Sequence, residues 1–100
     1  MATRKKFYWV KYNHEQKTYE VDWTDYADVD ESLSSHDIEI LDEDGEDATT
    51  TILDDDLPVG LLSTLVIKGG VAGSTYTASI TGTVDTGNRY IQKGEIEILE

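Results

Sequence analysis

The sequence predicts an all-β fold: an antiparallel β-sandwich of about seven short strands. Three observations point to it. Apolar residues recur at every second position in several segments, the period of a half-buried strand. No window sustains the i, i+3, i+4, i+7 stripe of an amphipathic helix. Clusters of Gly, Asp, Asn and Pro punctuate the chain at roughly the 8–12-residue spacing of a sandwich. A chain of 100 residues supports one modest core and no more.

The elements follow in order. Lys6 to Tyr12, "KFYWVKY", is aromatic-rich and forms the first strand. Thr18 to Thr24, "TYEVDWT", alternates with Tyr19, Val21 and Trp23 on one face and Glu20 and Asp22 on the other. The polar "NHEQK" between them suits a hairpin loop, although a crossing between two sheets would also fit. "DYADVDESLSS" is a connection in which Asp28 or Asp30 can cap one helical turn. "DIEIL" alternates again on Ile38 and Ile40, and "EDGED" is a turn around Gly45. "ATTTIL" is β-branched and reads as a short strand. In "DDDLPVG" the pattern breaks, because Pro58 cannot donate to a ladder and Gly60 permits a bend. "LLSTLVIK", "STYTASITGTV" and "RYIQKGEIEIL" complete the strands. The expected core is Tyr19, Val21, Trp23, Ile38, Ile40, Leu65, Ile67, Tyr76 and Ile80. Residues 1–6 read as a basic N-terminal arm and residues 7–100 as a single sandwich domain.

Charge is unevenly distributed. Residues 1–24 carry five Lys/Arg against three Asp/Glu; residues 25–56 carry fourteen Asp/Glu and no Lys/Arg; residues 57–100 carry three basic and four acidic residues. The net charge is −13. A carboxylate-dominated field repels phosphate backbones, so nucleic acid is not an expected partner. With no cysteine, disulfides and thiolate metal sites are excluded. No apolar run approaches the ~20 residues that span a bilayer, and the start lacks a signal-peptide core, so no membrane partner is expected.

The glycine-rich "LVIKGGVAGSTYTASI", Leu65 to Ile80, poses a choice between a phosphate loop and a corner. A Walker loop needs GxxxxGK[ST] between a strand and a helix. Gly69 and Gly73 stand one residue too close, Ser74 follows Gly73 where lysine is needed, and a strand pattern follows in place of a helix. As a corner, Gly69, Gly70 and Gly73 supply positive φ, and Tyr76 re-enters in strand phase with Ala78 and Ile80. Its ring then packs inward and its hydroxyl donates to nearby backbone, the tyrosine-corner device of immunoglobulin-like sandwiches.

Three segments in order resemble small Ig-like virion proteins of tailed bacteriophages, the fibre–tail adaptor and decoration type. They are "YEVDWTDY", "SLSSHDIEI" and "LVIKGGVAGSTYTASITGTVDTGNR", together spanning about residues 19–89. That family shows a hydrophobic-Asp-Trp strand, a Ser-rich stretch leading to Trp-x-Val, a Gly-Gly-x-Ala-Gly-x-x-Tyr corner, and a turn ending Gly-Arg. Here Ile38 stands in place of the tryptophan, and Asn88 is inserted between Gly87 and Arg89. The acidic run Asp42 to Asp47 and the basic, aromatic first strand lie outside the pattern. The resemblance implies an Ig-like, fibronectin-III-like fold and a structural place in the virion, assembled in the host cytoplasm. It carries no catalytic residues.

The residues expected to meet a partner are Arg4, Lys5, Lys6, Phe7, Tyr8, Trp9 and Tyr12 on the first strand and its lead-in. The acidic loop Asp42, Glu43, Asp44, Glu46 and Asp47 joins them. Phe7 and Trp9 point one way and Tyr8, Val10 and Tyr12 the other; a strand apolar on both faces must be covered on both. It either engages a neighbour, by strand addition or by its aromatics, or fills its own core. The basic lead-in would approach an acidic loop of that neighbour. Asp42 to Asp47, with Asp54, Asp55 and Asp56, has the oxygen-ligand type that Ca²⁺ takes. However, "DEDG" lacks the third acidic position, the flanking helices and the closing glutamate of an EF-hand. His14 and His36 read as solvated, and no carboxylate sits in an evidently apolar setting that would tune it for catalysis. No cofactor, bound metal or small-molecule substrate is expected.

The function expected is non-enzymatic: a virion module linking tail or neck to fibres through contacts with other virion proteins, in symmetric homo-oligomeric copies. Capsid decoration or cement is the first alternative. A Ca²⁺-dependent or carbohydrate-binding β-sandwich is the second.

Overall fold

The computed structural model describes residues 6–28 and 30–100. Arg4 and Lys5 of the expected basic arm lie outside the described residues. The strands are β1 Phe7–Tyr12, β2 Lys17–Asp22, β3 Leu33–Leu41, β4 Leu53–Val59, β5 Leu62–Ile67, β6 Thr75–Val84 and β7 Arg89–Leu99, with one helical turn, α1 Thr49–Ile52. They form an all-β sandwich of two sheets, ordered β1-β7-β6-β3 and β2-β5-β4. Every strand pair is antiparallel except β1 with β7, which is parallel. Lettered A to G in chain order, the sheets read A-G-F-C and B-E-D. This is the immunoglobulin constant-type order with the first strand moved beside the last.

Period 2 explains the packing. In β6 burial alternates through Tyr76, Ala78, Ile80, Gly82 and Val84, and in β5 through Ser63, Leu65 and Ile67. Of these, Tyr76, Ala78, Ile80, Leu65 and Ile67 meet Trp9, Val21, Trp23, Ile40, Ile52, Ile96 and Ile98 in one core, with Tyr19, Leu33 and Ile38 packed at its margin. Trp23 is fully buried just past β2, with its ring against the backbone of Gly82. A Cβ at Gly82 would lie 3.0 Å from two indole atoms, so the large ring and the missing side chain require each other.

Four expectations need adjustment. "NHEQK" is a crossing between sheets and not a hairpin, since β1 and β2 belong to different sheets. Glu15 reverses the chain there: its amide donates to the Tyr12 carbonyl (3.1 Å) and its carboxylate accepts from the Tyr12 amide (2.7 Å). Within "ATTTIL", Thr49–Ile52 form α1 and only Leu53 is strand, opening β4. Asp47 accepts from the Thr49 amide (2.9 Å), and the following turn drives Ile52 into the core. "DDDLPV" is the strand, at the edge of its sheet, where Pro58 costs no interior ladder bond and three aspartates discourage further pairing. The fourth concerns Tyr76. It is buried at the glycine corner, but its hydroxyl accepts from the Val71 amide (3.0 Å) and does not donate to backbone.

The connection between β2 and β3 is held by Glu31, a buried carboxylate. It accepts from the Thr86 hydroxyl, the Asp28 amide (2.8 Å), the Tyr90 hydroxyl (3.0 Å) and the Asn88 amide group (3.3 Å). The Thr86 hydroxyl, then the Asp28 amide, hold Glu31 below the usual carboxylate range against the opposing effect of burial. A carboxylate depressed in the folded state stabilises it above its unfolded pKa, and that contribution is lost as pH falls through the folded value. Glu31→Gln should therefore be less stable than the parent near neutrality, with the gap closing in acid. Urea unfolding at about pH 6 and about pH 3 measures this, and a gap unchanged between them would refute it.

Candidate functional site

The first strand was expected to present its aromatics, and its two faces fare differently. Inward, Phe7 lies over Gly94 of β7, its parallel partner; a Cβ there would fall 2.2 Å from the ring. Phe7 stacks on Trp9 (centroids 4.3 Å), and Trp9 stacks on Tyr19 of the opposite sheet (4.4 Å, 10° between planes). The Lys17 ammonium stands 5.6 Å from the Tyr19 ring centre, and the Tyr19 hydroxyl donates to the Val10 carbonyl. Phe7 and Trp9 thus close the open end of their own sandwich. Lys11, also inward, is 1% exposed and donates to the carbonyls of Tyr12 (2.9 Å) and Gly69 (2.6 Å), tying β1 to the glycine corner. Burial pushes its ammonium below the usual lysine range, with Glu15 opposing.

Outward, Tyr8 and Tyr12 are more than half exposed, at 57% and 53%. Tyr8 pairs in register with Glu95, and Glu97, hydrogen-bonded to its hydroxyl, raises the phenol above the usual tyrosine range. β1 is the edge of its sheet, so its outer backbone is open to pairing within the described structure. Exposed Lys6 stands at its head.

The acidic loop divides by role. The Asp42 carboxylate is used within the turn, accepting from the amides of Asp44 and Glu46 (2.9 Å each), while Gly45 takes φ 82°. Asp47 is occupied by Thr49, whose hydroxyl first and amide second hold it below the usual carboxylate range. Glu43, Asp44 and Glu46 remain exposed. Among the described residues no three carboxylate or histidine side chains converge in a metal-binding group, and the two acidic segments do not complete one another.

One constellation was not legible in the sequence. His36, read as solvated, is half-buried on β3 with its side chain only 3% exposed: its Nδ1 lies 2.8 Å from Ser63 Oγ and its Nε2 2.6 Å from Asp56 Oδ1. Asp56 and Ser63 lie 20 and 27 positions from His36 on the paired strands β4 and β5, and the stacking of the sheets brings His36 of β3 to both. Serine, histidine and aspartate in contact invite a hydrolytic reading. The geometry opposes it. Ser63 is fully buried, and its oxygen already accepts the Trp23 indole N–H (2.9 Å). One assignment satisfies every group: indole to Ser63, Ser63 to Nδ1, and Nε2–H to Asp56. The string fastens the sheets together and offers no nucleophile to solvent.

A second feature also escaped notice. On the outer face of the three-stranded sheet, Leu57, Val59 and Leu62 are exposed side by side.

The family model described as podophage GP4 fiber-tail adaptor protein gp77 matches residues 11–96. Among curated proteins, none matches the chain. The matched span runs from the end of β1 to the middle of β7 and so takes in both sheets.

Proposed function

The chain belongs to the podophage GP4 fiber-tail adaptor family, and we propose that it works as a non-catalytic, Ig-like module joining tail or neck to fibres. The observation that carries this is the family match across nearly the whole sandwich. As a member of that family the chain is a structural, tail-linking component of the virion, in contact with other virion proteins. The finer reading is that residues 7–100 act as one rigid domain, residues 1–6 as a basic arm, and several copies sit in symmetric array.

In this reading one docking surface is the outward side of β1. Tyr8 and Tyr12 are its aromatic anchors, with Lys6, and Arg4 and Lys5 ahead of it, facing a carboxylate-bearing surface. Glu43, Asp44 and Glu46 offer such a surface on a neighbouring copy. Phe7 and Trp9 contribute from within by fixing the strand. Aromatic residues flanked by charge are frequent binding hot spots, because they bury much area at little entropic cost.

An amber mutation in the gene tests the reading. Mutant lysates should contain tailed particles without fibres, and added purified protein should restore fibre attachment. Labelling of the protein in electron micrographs should fall at the tail–fibre junction. Label spread over the head, with fibres present on mutant particles, would replace this reading with capsid decoration.

A further inference from the structure

An adaptor must hold two different neighbours, and the β1 edge supplies one surface. We infer that the outer face of the β2-β5-β4 sheet, on the opposite side of the sandwich, is the second. Its occupant is a protein segment carrying aliphatic or aromatic anchors bracketed by Lys or Arg. This rests on the adaptor reading.

The face follows from register. Ser63, Leu65 and Ile67 of β5 point into the core, so Leu62, Thr64 and Val66 point out. Leu62 pairs with Val59 and Thr64 with Leu57. Leu57 and Val59 are 58% and 60% exposed, and Leu62 is exposed beside them. Scattered surface aliphatics need no explanation; three in contact register across two strands form a patch, and such patches mark interaction sites.

The surrounding charge selects the occupant. On β2, Asp22 pairs with Leu62 and Glu20 with Thr64, and both side chains are exposed. On β4, Asp55 pairs with Val66. The apolar strip therefore has carboxylates along its β2 side and another at its Asp55 end, with the open edge of β4 on the remaining side. Asp54 is paired with Lys68 at 3.5 Å, towards the Val66 end, away from Leu62 and Val59. A second copy of this chain laid face to face would bring these carboxylates against their equivalents, which disfavours it. A segment with apolar anchors and flanking cations satisfies both features at once. The three aspartates and Pro58 on the β4 edge discourage strand addition there, so the occupant lies across the face.

The test uses tailed particles from the amber mutant and purified full-length protein. Parent protein should bind the particles, and binding should weaken as salt rises. Leu57→Asp combined with Val59→Asp should lower binding about tenfold or more, with thermal stability near that of the parent because both positions are exposed. Glu20→Lys combined with Asp55→Lys should also bind weakly. The chain has no cysteine, so Val59→Cys carrying a photoreactive maleimide reports one position. Its adduct should join a tail or fibre polypeptide at a segment containing Lys or Arg. Parent-like binding by both double variants, or an adduct to another copy of this chain, would overturn the inference and leave the adaptor reading standing. Absence of binding by the parent protein would overturn both.

Discussion

Trp23→Ala should cost about 3–5 kcal/mol of folding stability, the range for truncating a large buried aromatic. The whole stability of a domain this size is about 5–15 kcal/mol, so the variant should be near the limit of folding at 37 °C. Three losses combine at this site. The ring is fully buried, and its removal opens a cavity above Gly82, which has no side chain to fill it. The indole N–H no longer reaches Ser63, so a fully buried hydroxyl oxygen loses a donor. The edge contact with Tyr26 (6.4 Å, 65°) also goes, loosening the start of the β2–β3 connection. Urea unfolding followed by far-ultraviolet circular dichroism measures the cost. Trp23→Phe separates the contributions: it keeps most of the ring and loses the donor, so it should fall between parent and alanine. A loss below about 1 kcal/mol for the alanine variant would mean that Trp23 is not the keystone of the core.

Gly70→Ala should cost about 2–5 kcal/mol, and Gly69→Ala next to it only about 1–2 kcal/mol. Both glycines have positive φ, 60° at Gly69 and 96° at Gly70, so both substitutions force a side chain into unfavourable backbone. Their surroundings differ. A Cβ at Gly69 meets only the Thr51 carbonyl at 3.8 Å, whereas one at Gly70 would lie 2.7 Å from two carbons of buried Ile98. Ile98 cannot yield freely, because its side chain is fully buried in the core and its amide donates to Ser74 while its carbonyl accepts from Gly73, which locks this part of β7 to the corner. The difference between the two variants isolates overpacking from backbone strain. Equal losses in thermal unfolding would show that the corner adjusts and that close packing on Ile98 is unimportant.

These two sites also show how far the sequence could be read. The alternation of Val21 and Trp23, of Leu65 and Ile67, and of Tyr76, Ala78 and Ile80 announced both the strands and their inward faces. It did so because a pleated strand puts every second side chain on one side. The glycine corner was legible for a related reason: three glycines beside a strand-phase tyrosine have few uses other than a tight reversal. Short β-branched and acidic segments were harder. "ATTTIL" has strand propensity, yet Asp47 and the need to bury Ile52 make it helical. "DDDLPV" has poor strand propensity, yet an edge position tolerates both its aspartates and Pro58. In each case tertiary context outweighed local preference.

The candidate surfaces divide in the same way. The outward tyrosines of β1 followed from alternation. The burial of Lys11 did not, since lysine at an inward position is seldom assigned to a core without a known acceptor, and the Gly69 carbonyl is 58 residues away. The string from Trp23 through Ser63 and His36 to Asp56 is complete only with both sheets in place, because His36 of β3 reaches Ser63 and Asp56 of the other sheet. The acid-flanked strip of Leu57, Val59 and Leu62 likewise exists only once β4 pairs with β5 and β5 with β2.

By itself, then, the sequence determined an all-β sandwich, the inward face of most strands, the glycine–tyrosine corner and the resemblance to phage adaptor proteins. Periodicity, turn chemistry and motif are properties of neighbours along the chain. Only the tertiary structure decided that the first strand crosses to lie parallel to the last and that a serine–histidine–aspartate contact is buried fastening. It alone showed that an apolar strip faces outward beside carboxylates of β2 and β4. Those outcomes depend on which strands pair and which sheets stack, contacts between residues tens of positions apart that no local pattern specifies.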